Sequence, residues 1–124
     1  MYKPLVIIES PYAGDIERNI KYARACIKDS LKRGEAPIAS HLLYTQEGIL
    51  NDNIFEEREL GIKAGLAWLS VAHKQVFYID YGFSNGMRKA LDYSNKNNLN
   101  VIIETRTLYS DSQNNSLLET IKEE

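Results

Sequence analysis

The chain has 124 residues, 44% apolar and 26% charged, which is the size and composition of one globular domain with its own core and not of a fibrous, disordered or disulfide-rich protein. A formal charge of −2 offers no basic footprint for a phosphate backbone, so long nucleic acid is not an expected partner. One cysteine (Cys26) excludes an internal disulfide, two distant histidines (His41 and His73) make no metal spacing, and nothing approaches the roughly 18 apolar residues of a membrane span. The chain starts directly into a strand-like run with no secretory pattern. The expectation is a soluble cytoplasmic domain with no cofactor, no metal and no membrane partner.

Leu5-Val6-Ile7-Ile8 is a continuous apolar run, the pattern of a strand covered on both faces, and a first strand is predicted over 3–9. Ser10-Pro11-Tyr12-Ala13-Gly14-Asp15 then punctuates a loop, with Asp15 as helix cap. Ile16, Ile20, Ala23, Ile27 and Leu31 recur at helical spacing, and Gly34 stands where a left-handed helix end is expected. Cys26 falls within this helix and reads as packing rather than as a nucleophile. A second strand is predicted over 36–41, although Pro37 cannot donate to a ladder.

Residues 42–53 read as a long connection with room for one helical turn, a length that is often functional in compact domains. A helix follows over about 54–72, with Phe55, Ile62, Leu66 and Leu69 as its stripe and charge loaded into its first half. Gly61 and Gly65, four apart, predict close packing of that helix on a neighbour. Residues 76–79 form the third strand, closed by Asp80, and Ser84 caps a helix carrying Met87, Ala90, Leu91 and Ser94. A fourth strand is predicted over 101–103. Strand and helix alternate throughout, which predicts an α/β three-layer sandwich of flavodoxin-like, Rossmannoid type, with four or five parallel strands and helices on both faces. The domain spans 1–109. Residues 110–124 read as a polar linker and a short terminal helix whose Leu117, Leu118 and Ile121 need a cover, either the domain or a partner subunit.

In open parallel sheets, ligands bind outside the carboxyl ends of the strands. Three loops qualify, 10–15, 41–53 and 80–87, and the first and third are favoured. In the third, a strand-end acid, Asp80, precedes small residues that let backbone amides approach an anion at a helix start. A plainer reading stays open, in which Asp80 and Ser84 cap the turn and Gly82 and Gly86 satisfy its backbone. Tyr12, Phe83 and Tyr81 have the chemistry to stack on a base or to fill the crevice floor. His41 has the chemistry of an acid, a base or a phosphate donor, and equally that of a loop-packing residue. Arg58 can hold a phosphate with both arms of its guanidinium. His73 is expected to face solvent.

Together, the Ser10–Asp15 segment, Ala36-Pro37 through His41-Leu42-Leu43, Glu56-Glu57-Arg58-Glu59-Leu60-Gly61 and Ser84-Asn85-Gly86-Met87 resemble a family of nucleoside deoxyribosyltransferase-like fold, in its small phage and bacterial branch. The resemblance runs from Leu5 to about Ile103. It implies a nucleoside or nucleotide in the crevice and a homo-oligomer with sites near subunit interfaces. In the transferases, a helix-opening S-x-G-T motif is followed by a Glu that attacks the anomeric carbon. Here Met87 replaces the threonine and Ala90 replaces the Glu.

The expectation is therefore a pocket that holds a nucleotide-like molecule without turnover, through Ser10, Pro11, Tyr12, Gly14, His41, Arg58, Asp80, Phe83, Ser84, Asn85, Gly86 and Met87. By family analogy, such a phage protein in the host cytoplasm sequesters a nucleotide signal of host defence. The first alternative is an N-glycosidic enzyme, a nucleosidase or deoxyribosyltransferase, using Asp80, Glu9 or Glu59. The second is a structural subunit with a vestigial crevice.

Overall fold

The apolar run Leu5–Glu9 forms strand β1, which is paired in parallel on both edges. On one side lies β2 (Ala36–Ile38), on the other β3 (Lys74–Tyr78), and β4 (Ile102–Arg106) follows to give the order β2-β1-β3-β4 in this computed structural model. Residues 2–109 are described; the expected linker and helix of 110–124 lie outside them. The helices are α1 (Ile16–Lys32), α2 (Ser40–Leu43), α3 (Phe55–Ala67) and α4 (Asn85–Lys96). The chain steps from β1 to β2 in one direction, and from β2 to β3 and β3 to β4 in the other. Right-handed crossovers then place α1 on one face of the sheet and α3 and α4 on the opposite face. This is the three-layer, flavodoxin-like Rossmannoid arrangement, with four strands in the described residues.

Side chains alternate between these faces along each strand. Val6 and Ile8 of β1 and Val76 and Tyr78 of β3 form one core cluster with Tyr22 and Cys26 of α1. Gln75 and Phe77 point the other way, where the Ser94 hydroxyl of α4 donates to Gln75 Oε1 at 2.7 Å. Cys26 is fully buried, and burial pushes its thiol far above its ordinary range, which fits a packing role.

The buried face of α1 is Asn19, Tyr22, Ala23, Cys26 and Ser30. The Ile-Leu stripe is offset from it: Ala23 is shared, but Ile16 and Leu31 are exposed. Polar residues occupy the inner face because each finds a partner there. Asn19 Nδ2 donates to the carbonyls of Tyr12 and Ala13, and Ser30 Oγ donates to Glu35. Asp15 caps the helix by accepting from Arg18 N–H, and Gly34, at φ +83°, supplies the left-handed exit. Glu35 is held by both guanidinium arms of Arg106, at 2.8 and 2.6 Å, which with the Ser30 hydroxyl lowers its carboxyl to about 2.

Other boundaries differ from the sequence reading. The second strand ends at Ile38, since Ser40 and His41 already belong to α2 and not to a strand. The long helix stops at Ala67 and passes into a single 3-10 turn, Trp68–Ser70. Its expected stripe is inward only toward its end: Phe55 and Ile62 are exposed, Leu66 is half-buried and Leu69, in the 3-10 turn, is buried, while Gly65 is the one buried residue of α3 itself among those described. The fourth strand runs on to Arg106 because β3 pairs with it through Tyr78.

The glycines of α3 do pack closely. A Cβ at Gly65 would meet Ser40 Oγ at 2.4 Å and Ser40 Cβ at 3.1 Å, and one at Gly61 would meet Leu50 Cδ1 at 3.1 Å. The serine hydroxyl can rotate away, but its Cβ cannot. Gly65→Ala is expected to destabilise the fold by about 1–3 kcal/mol in urea unfolding, the usual cost of overpacking. Ser40→Gly combined with Gly65→Ala should recover most of that loss, and an additive double variant would overturn the contact.

Candidate functional site

The strand order reverses between β1 and β3, and such a reversal leaves a crevice outside the strand ends. A cavity of about 490 Å³ opens there, on the face carrying α3 and α4. Its floor is the end of β1, Glu9 and Ser10, with Tyr12, Ala13 and Gly14 of the following loop. One wall is α2 and the connection after it, with Ser40, His41, Tyr44, Thr45, Leu50 and Asp52. A second is α3, with Glu57, Arg58, Gly61, Ile62 and Leu66; the third is the start of α4, from Ser84 to Met87 with Lys89 and Ala90. The volume lies within the usual range for small-molecule sites, roughly 300–1,000 Å³.

Nine of the twelve residues expected to touch ligand line this cavity: Ser10, Tyr12, Gly14, His41, Arg58, Ser84, Asn85, Gly86 and Met87. Gly14 has φ +97°, a conformation that the loop needs and that a side chain would strain. Ser84 caps α4 as anticipated: its hydroxyl accepts from Met87 N–H at 3.2 Å, while Met87 Sδ accepts from Ser84 N–H at 3.4 Å. Ala90, the position of the missing Glu, is in the lining.

The cavity lining does not include Pro11, Asp80 or Phe83. Pro11 is buried in the loop. Asp80 shares the alternation of Val76 and Tyr78 and belongs to the α1 face. There its carboxylate accepts from Tyr22 O–H and from the backbone N–H groups of Leu108 and Tyr109, at 3.0–3.3 Å for the latter two. The plainer reading of Asp80, a buried acid that closes a turn, is the one its geometry matches. Phe83 packs against Phe77 with ring centroids 5.3 Å apart, and Tyr81 packs edge-on to Tyr22 beneath Arg18. His73 is exposed, yet its Nδ1 accepts from Leu5 N–H at 2.8 Å.

The acid that does reach the cavity is Glu9, whose alternation is that of Gln75 and Phe77. Gln75 Nε2 donates to its Oε2 at 2.8 Å. Burial raises the carboxyl to about 7, against the lowering effect of that amide. Near it, Ser10 Oγ and His41 Nε2 share a hydrogen bond of 2.7 Å. Burial lowers His41 to about 4, so the ring is neutral at pH 7 and is a weak base for activating the serine. Two cations, Arg58 and Lys89, stand exposed at the rim, and neither enters an ion pair among the described residues. No group of three or more His, Cys, Asp or Glu among the described residues can hold a metal ion.

The loop over 41–53, set aside in favour of the other two, supplies much of one wall. Its length was the signal for it. Lys89 was legible as well, since it lies one helical turn after Asn85 at a helix start already assigned to an anion. Glu9 is only an alternative acid by residue type; its sequence signal is strand phase, since it alternates with Ile8 and so falls on the face opposite Val6 and Ile8.

The domain of unknown function DUF7768 matches the chain over residues 4–104. No curated protein matches it. No helix among the described residues is long and apolar enough to cross a membrane.

The displaced Glu9 and His41 act oppositely on stability. Glu9 rises from 4.5 to about 7 on folding, so its stabilisation is complete below pH 4.5 and is lost as pH rises through 7. His41 falls from 6.5 to about 4, so its stabilisation is present above pH 6.5 and is lost as pH falls through 4. The two offset between pH 4.5 and 6.5, and above that the Glu9 loss stands alone. Glu9→Gln should convert this profile into a rise on the order of 2 kcal/mol from pH 4.5 to 6.5, then a plateau to pH 8, a magnitude already reduced for partial solvent screening. Urea unfolding across pH checks it, and an unchanged profile would refute the assignment of Glu9.

Proposed function

We propose a function for a chain that belongs to the DUF7768 family: it binds a nucleotide- or nucleoside-derived small molecule in the cavity between α3 and α4 and holds it without turnover. The observation that carries this reading is the division of the lining by chemistry. Arg58, Lys89 and the amide groups opening α4 form an electropositive rim suited to a phosphate. Tyr12, Tyr44, Leu50, Ile62 and Leu66 provide aromatic and apolar surface for a base. Glu9, Ser10 and His41 provide hydrogen-bonding groups for a sugar or a base edge.

Binding without turnover is favoured by Ala90. In the transferases this chain resembles, the corresponding Glu is the attacking group, and here a methyl faces the cavity. A site of that kind, in a small phage protein, suits sequestration of a nucleotide signal. A second reading, N-glycosidic cleavage, is favoured by one specific observation. Glu9 lines the same cavity with its carboxyl raised to about 7, the range of a general acid at neutral pH.

Thermal shift against a panel of nucleosides, linear and cyclic nucleotides and ADP-ribose derivatives separates the two readings. For the binder, at least one phosphate-bearing member should raise Tm and be recovered intact by chromatography. Arg58→Ala with Lys89→Ala should weaken that ligand by roughly 10-fold or more, as expected for loss of charge-assisted phosphate contacts. Release of free base, abolished in Glu9→Gln, would establish the enzyme instead. Absence of both a shift and turnover across the panel would overturn both.

A further inference from the structure

The cavity presents several donors, and its acids differ in where they stand: Asp52 and Glu57 are on the walls and Glu9 is at the floor. Arg58 and Lys89 only donate, and the α4 amides of Asn85 and Gly86 donate as well. Among the acids, one oxygen of Glu57 already accepts from Asn51 N–H at 2.9 Å, and Glu57 stands on the α3 wall. Glu9 is different. It is half-buried at the end of β1, one oxygen is fixed by Gln75, and Gln75 is fixed in turn by Ser94 at 2.7 Å. The other oxygen, Oε1, has no hydrogen-bond partner among the described residues, and no buried side-chain oxygen among them lacks one. Oε1 is therefore accessible, and the accessible space beside it is the cavity.

We propose that Glu9 is the specificity-determining residue of this site: held in place through Gln75 and Ser94, its uncommitted oxygen accepts a hydrogen bond from an N–H or O–H group of the bound molecule. The proposal rests on the binding reading above and adds what the deep end of the site selects. A nucleotide's phosphate and ring acceptors have many donors to meet in this cavity. Its amino or hydroxyl donors have Glu9 as the acceptor at the floor.

The exchange has a proton balance. Glu9 is flanked by neutral Gln75, and the cavity also holds Asp52 and Glu57, which disfavour a further negative charge. The opposing cations, Arg58 and Lys89, stand exposed at the rim. His41 is neutral, and Tyr12 and Tyr44 complete the titratable groups of the lining. The empty site at pH 7 is thus a mixture of acid and carboxylate. A ligand donor selects the carboxylate: the O–H bond of the Glu9 carboxyl breaks, the proton leaves to buffer, and a hydrogen bond from the ligand N–H or O–H to Oε1 forms.

The test is calorimetric titration with AMP, GMP, CMP and UMP in two buffers of different ionisation enthalpy. The expected result is release of about half a proton per site at pH 7, with binding tightening about 10-fold from pH 6 to pH 8. Glu9→Gln should lose both effects, keeping only the smaller proton linkage of the nucleotide phosphate, whose second ionisation lies at about pH 6. Proton uptake, or a wild-type profile identical to that of Glu9→Gln, overturns the proposal while leaving nucleotide binding intact. A second readout needs no nucleotide: formamidinium, a planar N–H donor, should lower the titration midpoint of the Glu9 carboxyl followed by carbon-13 NMR. If no nucleotide binds but formamidinium shifts Glu9, the nucleotide reading falls and the role of Glu9 stands. If neither acts, both fall.

Discussion

Alternation of side chains along β1 and β3 is the constraint on which the site depends. A strand residue faces one layer or the other, and a one-residue change reverses it. Ile8, Val76 and Tyr78 face α1, and Asp80, in the same phase, is drawn into that layer to hold Tyr22 and the backbone after β4. Ile7, Gln75 and Phe77 are in the other phase, and Glu9 with them. Two acids at two adjacent strand ends thus take different roles because of parity alone. One is saturated with hydrogen bonds and closes the fold. The other keeps an oxygen open to the cavity.

The α1 face is also where most of the buried polar chemistry sits. Glu35 and Arg106 meet there from sequence positions 71 apart, joined by Lys74, Glu104 and Tyr78. A buried ion pair is weak support for stability in itself, since desolvation offsets much of the attraction. Here it fixes the partners instead: the end of α1, the start of β2 and the length of β4 are tied to one another. The opposite layer is built differently. Gln75 and Ser94 make a small neutral network beneath the cavity, and α3 contributes little to the buried interior.

The architecture was legible because it is written in local signals. Apolar runs without alternation, Asp15 and Ser84 at helix starts, and Gly34 at a helix end each specify one boundary, and alternation of strand with helix specifies the parallel sheet. The inner face of α1 was misread because Asn19 and Ser30 look solvent-facing by type, and only tertiary partners reveal why they turn inward. The second strand was drawn too long because Ala39, Ser40 and His41 are compatible with either state until α3 packs against them through Gly65. Nine of the expected ligand contacts line the cavity, since helix starts and strand ends converge there by topology. Asp80 lies outside the cavity lining, and the phase it shares with Val76 and Tyr78 is the sequence signal for that.

The α3 wall is held by a glycine-to-serine contact with α2 and by a connecting loop, and none of its residues belongs to the cluster that holds the sheet to α1, which α2 reaches through Leu42. It is a span fixed to the domain at its two ends. Evolution can therefore lengthen the loop, exchange Leu50 or Ile62, or tilt the helix, and so resize what the cavity admits without repacking the β1–β3–α1 interior. In this architecture the part that chooses a ligand and the part that keeps the chain folded are separately adjustable.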